Sequence, residues 1–94
     1  MRFEWDEQKA AQNLAKHKAP FDYASRLFLD PYRLDREDTR HDYREERRLA
    51  LGRIERRVYA VAYTMRRDVV RLISARKANR REQRRYYEAL PPRP

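Results

Sequence analysis

Arginine carries most of the possible chemistry in this sequence. Arg66, Arg71 and Arg76 are spread over its later apolar segments, and a denser run of Arg80, Arg81, Arg84 and Arg85 follows within "SARKANRREQRRYYE", residues 74–88. A guanidinium is planar, stays charged at any physiological pH and can grip two phosphate oxygens, so these residues suit an anion or a developing negative charge. Each also has a plainer reading: Arg71 as a solvated strand residue, Arg76 as the partner of Glu82 or another carboxylate, and the later arginines as a solvated helix face. His41 titrates ordinarily near a pH of about 6.5 and has Glu45 and Glu46 close by in sequence, although an exposed loop histidine is commonly inert. One histidine among carboxylates is a poor ligand signature, so no metal site and no cofactor are expected.

The chain around these residues has 94 residues, the size of one small domain, with 24 Lys and Arg against 15 Asp and Glu and a net charge of +9. That charge suits a polyanion or an acidic protein partner. Charged residues are 41% of the chain, so apolar residues must be economically placed. Cysteine is absent, which excludes disulfides, thiolate metal sites and cysteine nucleophiles. The start is charged and no apolar run approaches the roughly 20 residues of a membrane span, so a soluble, cytoplasmic protein is expected.

The elements that would position the arginines read as follows. "MRFEW" alternates as a short strand, and Asp6 N-caps a helix over "EQKAAQNLAKH" with Ala10, Ala11 and Leu14 as its apolar stripe and His17 as a helix-end cation. Pro20 opens a second short helix, "PFDYASRLFLD", which must end before Pro31. Residues 32–45 lack a period and read as a surface loop. "ERRLALGRI", "RVYAVAYT" and "DVVRLISAR" read as three strands of an antiparallel meander, with Val70, Leu72 and Ser74 on one side and Val69, Arg71 and Ile73 on the other. Asn79 and Glu82 resemble a capping box that starts a terminal helix, with Lys77, Arg81 and Arg85 in one line beside Arg80 and Arg84. The expected organisation is a single domain over residues 1–90 and a Pro-rich tail over 91–94.

"FEWDEQKAAQNLAKH", "HDYREERRLALG" and "VRLISARKANRREQRRYYE" resemble, in order and spacing, the BrnT family of bacterial type II toxins. The resemblance implies an α+β, RelE-like fold, a small antiparallel sheet with two N-terminal helices and one C-terminal helix. It implies an endoribonuclease that cleaves RNA, inhibits translation and arrests growth. It also implies a BrnA-type ribbon-helix-helix antitoxin as partner, in a heterotetramer or larger complex, and contact with operator DNA only through that antitoxin. Two glycine positions of the family are filled otherwise: Lys18 follows the first helix and Arg67 sits in "YTMRRD", where Met65 also replaces a glutamate.

Cleaving RNA without a metal needs a base for the 2′-hydroxyl proton, cations for the phosphorane-like transition state and a proton for the leaving 5′-oxygen. With the resemblance, Arg71, Arg76 and Arg66 become the expected cations, and His41 and Glu46 the expected proton carriers. Products ending in a 2′,3′-cyclic phosphate and a 5′-hydroxyl are expected. Tyr63 is the expected stacking residue, and Lys77, Arg80, Arg81, Arg84 and Arg85 are the expected RNA-binding surface, or the face that meets acidic antitoxin side chains. The rival expectation is a non-catalytic nucleic-acid- or partner-binding module on the same scaffold. A DNA-binding regulator acting alone has no helix-turn-helix or heptad signature to support it.

Overall fold

The computed structural model describes residues 1–39 and 45–92. Its elements are β1 (Arg2–Trp5), α1 (Glu7–His17), α2 (Phe21–Ala24, continued by a 3₁₀ turn, Ser25–Leu29), β2 (Leu34–Glu37), β3 (Arg48–Ile54), β4 (Arg57–Arg66), β5 (Val69–Lys77) and α3 (Arg80–Glu88). The strands form one sheet in the order β1-β5-β4-β3-β2. The α+β class is as expected, but the sheet is mixed. β1 runs parallel to β5, with Phe3 opposite Val70 and Trp5 opposite Leu72. The helical segment α1–α2 makes the crossover that such a parallel pairing requires.

β2 corrects the expected surface loop. It is four residues long, pairs antiparallel with β3, and exposes Asp35, Arg36 and Glu37. A short edge strand with charged side chains has no apolar period to read, and its charges discourage pairing with another chain. The second helix is also shorter than expected, because the chain tightens into the 3₁₀ turn at Ser25, whose hydroxyl donates to the Asp22 carbonyl at 2.7 Å.

The helix starts are as the sequence reads. Asp6 accepts from the Lys9 N–H at 3.0 Å, which holds the Asp6 carboxyl below its ordinary range. At α3 the capping box is complete: Asn79 accepts from the Glu82 N–H, and Glu82 accepts from the Asn79 N–H. The α1 stripe differs. Leu14 is exposed, and the buried residue is Asn13. β1 covers the edge of β5 only as far as Leu72. Beyond it the Asn13 side chain replaces a strand, accepting from the Ala75 N–H at 3.0 Å and donating to the carbonyls of Ala75 at 2.8 Å and Ala19 at 3.0 Å. Those bonds satisfy backbone groups that would otherwise be buried without partners.

The two faces of the sheet carry separate cores. Under α1 and α2, Phe21, Ala24, Leu27 and Phe28 pack on Ala50, Ile54, Val61, Tyr63, Val70, Leu72 and Ala75, with Phe3 and Trp5 at the margin. Here lies the chain's single glycine: a Cβ on Gly52 would stand 2.5 Å from the Leu27 Cγ. On the other face, α3 lays Tyr86 against Leu49, Leu51, Val58, Ala60 and Ala62. Asp30 pins this helix, accepting from the Tyr86 hydroxyl and from the N–H groups of Arg53 and Tyr32. Burial opposes ionisation of Asp30, but these donors outweigh it and hold its carboxyl below the ordinary range.

With so little glycine, other residues take the left-handed backbone positions. Lys18, Glu55 and Arg67 have φ of 58°, 56° and 60°. Lys18 closes α1 by donating its N–H to the Leu14 carbonyl, while Glu55 and Arg67 stand first in the two-residue turns of the β3–β4 and β4–β5 hairpins. Each conformation costs a non-glycine residue about 1–2 kcal/mol. Lys18 and Arg67 are the two positions at which the resemblance calls for glycine.

Candidate active site

A β-bulge decides which arginines can act together. β4 and β5 pair Arg66 with Val69, Thr64 with Arg71 and Tyr63 with Leu72, but then Ala62 with Ser74, so that Ile73 is an extra residue on β5. Leu72 and Ala75 consequently share the α1–α2 face although they are three residues apart. Arg71 and Arg76, five apart, share the opposite face, since their partners Thr64 and Ala60 are four apart on unbulged β4. Strict alternation would have separated them. Leu72 and Arg71 lie on opposite sides as expected, Leu72 toward α1 and α2, but Ser74, expected beside Leu72, turns to the arginine face. Bulges commonly re-aim side chains in this way beside functional sites.

Arg66, Arg71 and Arg76 therefore line one face in successive rows. Arg71 donates from Nη1 to Glu4 Oε2 at 2.6 Å, and both side chains keep partial exposure. Glu4 is the carboxylate closest to the leading arginine, and the sequence reading passed over it. Its only signal was its place opposite Phe3 and Trp5 in the alternating "RFEW" segment. Arg66, near the hairpin end, lies 3.4 Å from Glu45. Arg76 makes the pairing that was its plainer reading: Nη1 and Nη2 donate to Glu82 Oε1 and Oε2 at 2.7 and 3.0 Å. Burial raises the Glu82 pKa, but Arg76 and the Asn79 N–H more than offset it, so the carboxyl stays below its ordinary range. Arg76 thereby ties the end of β5 to the start of α3.

Other expected site residues are placed elsewhere. Tyr63 is buried on the α1–α2 face, edge-on to Phe28 with ring centroids 5.0 Å apart, and its hydroxyl donates to Asp35. Burial first, and then the bond to Asp35, push its pKa up to about 12. It has no free ring face for a base, which corrects the stacking expectation. Glu46 accepts from Arg48 Nη1 at 3.0 Å, and Arg48 is opposite Tyr63. Its carboxylate thus joins Arg48 and Asp35 rather than Arg71, and only its backbone carbonyl reaches the arginine face, accepting from the Thr64 hydroxyl at 2.7 Å. His41 lies outside the described residues.

Lys77 ends β5 opposite Tyr59 and lines a cleft with Tyr23, Arg56 and Arg57, apart from the α3 arginines. The expected helical line from Lys77 to Arg85 fails because the helix begins only at Arg80. Arg80, Arg81, Arg84 and Arg85 are exposed on α3.

Position 65 bears on the chemistry too. Met65 pairs with Val70, a member of the α1–α2 core, so it alternates away from Thr64 and Arg71. Methionine in place of glutamate removes no group from the arginine face. Among the described residues no three His, Cys, Asp or Glu side chains form a cluster able to hold a metal ion.

Mixed sheet, helices on both faces and a row of arginines beside a carboxylate together make a small basic α+β protein with cations gathered on one face of its sheet. A family model described as the ribonuclease toxin BrnT of a type II toxin-antitoxin system matches residues 5–82. The chain belongs to that family, and an antitoxin partner follows from membership of a type II system. Comparison with curated proteins gave no match. No helix among the described residues is long and apolar enough to cross a membrane.

Proposed function

We propose that the chain is a metal-independent endoribonuclease of RelE-like fold that acts in the cytoplasm, impairs translation and is neutralised by a BrnA-type ribbon-helix-helix antitoxin in a heterotetramer or larger complex. Operator DNA is then met only through the antitoxin. The observation that carries the ribonuclease reading is the bulge, which gathers Arg66, Arg71 and Arg76 on one face with Glu4 at 2.6 Å from Arg71. In this scheme Arg71 stabilises charge on the phosphorane-like transition state. Glu4 accepts the 2′-hydroxyl proton, the 2′-oxygen attacks phosphorus, and the P–O5′ bond breaks as a donor, for which His41 is retained, protonates the leaving oxygen. Arg76, with two of its five N–H groups on Glu82, positions the strand-to-helix exit and keeps its remaining donors for phosphate. The exposed α3 arginines supply longer-range attraction to RNA or to acidic antitoxin side chains.

The test is incubation of the purified chain with end-labelled RNA in EDTA. Fragments ending in a 2′,3′-cyclic phosphate and a 5′-hydroxyl are expected, with kcat falling about 100-fold or more in Arg71→Ala, by analogy with loss of one oxyanion donor. Binding without turnover would instead favour the non-catalytic module. Cleavage abolished by EDTA would sink the metal-independent scheme.

A further inference from the structure

Several clefts open on the described surface, and three of them are lined by carboxylates. Asp30 and Glu55 line the one beside Tyr86, Glu7 and Asp22 the one beneath Trp5, and Glu55 the one holding Lys77. Another, about 340 Å³, lies between α1 and the arginine face, where Lys9, Gln12, Lys16 and His17 face Ile73 and Ser74, and no carboxylate is among its described lining residues. Its floor is the bulge itself, Ile73 and Ser74, between Arg71 and Arg76 on β5. Its α1 wall is fixed to that floor by the Asn13 clamp on Ala75, so the lysines are held in register with the arginine row. The side chains of Lys16 and His17 make no hydrogen bond or ion pair with a described residue, which leaves their donors for a ligand.

We infer that this groove is the RNA-backbone track of the site, with Lys9 and Lys16 contacting phosphates and His17 and Gln12 donating to phosphate or ribose oxygens, leading the strand over Ser74 to Arg71. The inference rests on the proposed ribonuclease reading and names which surface holds the substrate. The α3 arginines become a secondary attraction. RNA is favoured over an acidic protein segment because the groove runs directly into the arginine row at the bulge. Lys16 and His17 also stand at the carbonyl end of α1, where cationic or donor groups are needed before an anion can approach.

The measurement is fluorescence anisotropy of the full chain with a labelled single-stranded 2′-O-methyl oligoribonucleotide, which binds but cannot be cleaved, over a series of salt concentrations. Removing two phosphate contacts in Lys9→Gln/Lys16→Gln is expected to weaken binding about tenfold and to flatten the log–log salt slope by about 1.4. His17→Gln is expected to weaken it about threefold with the slope lowered less. Arg26→Gln/Arg56→Gln removes the same charge elsewhere and is expected to change affinity less than twofold, with an unchanged slope. Equal losses in the two double variants would mean diffuse attraction and overturn the track. So would a polyglutamate peptide whose binding, rather than that of RNA, is lost with Lys9 and Lys16. If the wild type binds with the expected pattern yet never cuts unmodified RNA, the track stands and the ribonuclease reading fails. If it cuts, and Lys9→Gln/Lys16→Gln binds and cuts like wild type, the track alone fails.

Discussion

The same strands present two unlike surfaces. Toward α1 and α2 the sheet is dry and aromatic: Phe28 contacts Phe3 and Tyr63, and Leu27 fills the space that Gly52 leaves. Toward α3 it is half covered, with arginines paired to carboxylates in rows beside the Tyr86 cluster. On the first face, stability comes from shape and area; on the second, charged groups must find partners before they can be buried. If the first face carries most of the folding load, the second can retain cations for the RNA proposed above.

Leu27→Ala should be the largest test of that division. Leu27 has 0% exposure, and its truncation leaves a cavity over Gly52, so a loss of about 3 kcal/mol is expected in urea unfolding. A loss smaller than that of Arg76→Ala would reverse the ranking of the two faces.

Arg76→Ala comes next. It strands Glu82, whose side chain is 8% exposed, and about 2 kcal/mol should be lost, with Arg76→Ala/Glu82→Gln recovering part of it. Protonation offers a second view of the same pair. The folded Glu82 pKa lies below its ordinary value of 4.5, so the unfolded chain binds more protons as pH falls through that range. The Glu82 contribution is complete above about pH 4.5 and lost below it. Thermal melts of Glu82→Gln should therefore show a shallower acid limb than wild type, and an identical limb would discredit the pair as a source of acid sensitivity.

The smallest effect concerns neither face but the turns joining them. Lys18→Gly removes left-handed strain at φ 58° while adding freedom to the unfolded chain, for a net gain of about 0.5 kcal/mol. Any clear loss of stability would mean that the lysine side chain contributes something its backbone position does not.

Much of this was readable before the fold was known. Asp6, the Asn79–Glu82 box and the apolar runs of β3, β4 and β5 are local signals, and they marked those elements correctly. What escaped was non-local. Parallel pairing of β1 depends on where α1 and α2 return the chain, and β2 has only Leu34 to mark it. Asn13 carries no local sign of burial because its partners, Ala75 and Ala19, lie 62 and 6 residues away. The site was legible as a set of arginines but not as an arrangement, since one extra residue at Ile73 determines which of them share a face. Tyr63 serves the other side by plain alternation, since it is next to Thr64 on β4, and the Glu46 carboxylate is drawn there by Arg48.

β5 lies between the edge strand β1 and β4, so β1, the earliest of the described strands in the chain, pairs with the latest. During synthesis Phe3 and Trp5 have no parallel neighbour until residues 69–72 have been added, and long-range closure of this kind is slow compared with local structure. Arg71, Arg76 and the bulge arrive with that same strand. A ribosome making this chain completes the fold and the proposed cutting face together, leaving unfinished copies without either.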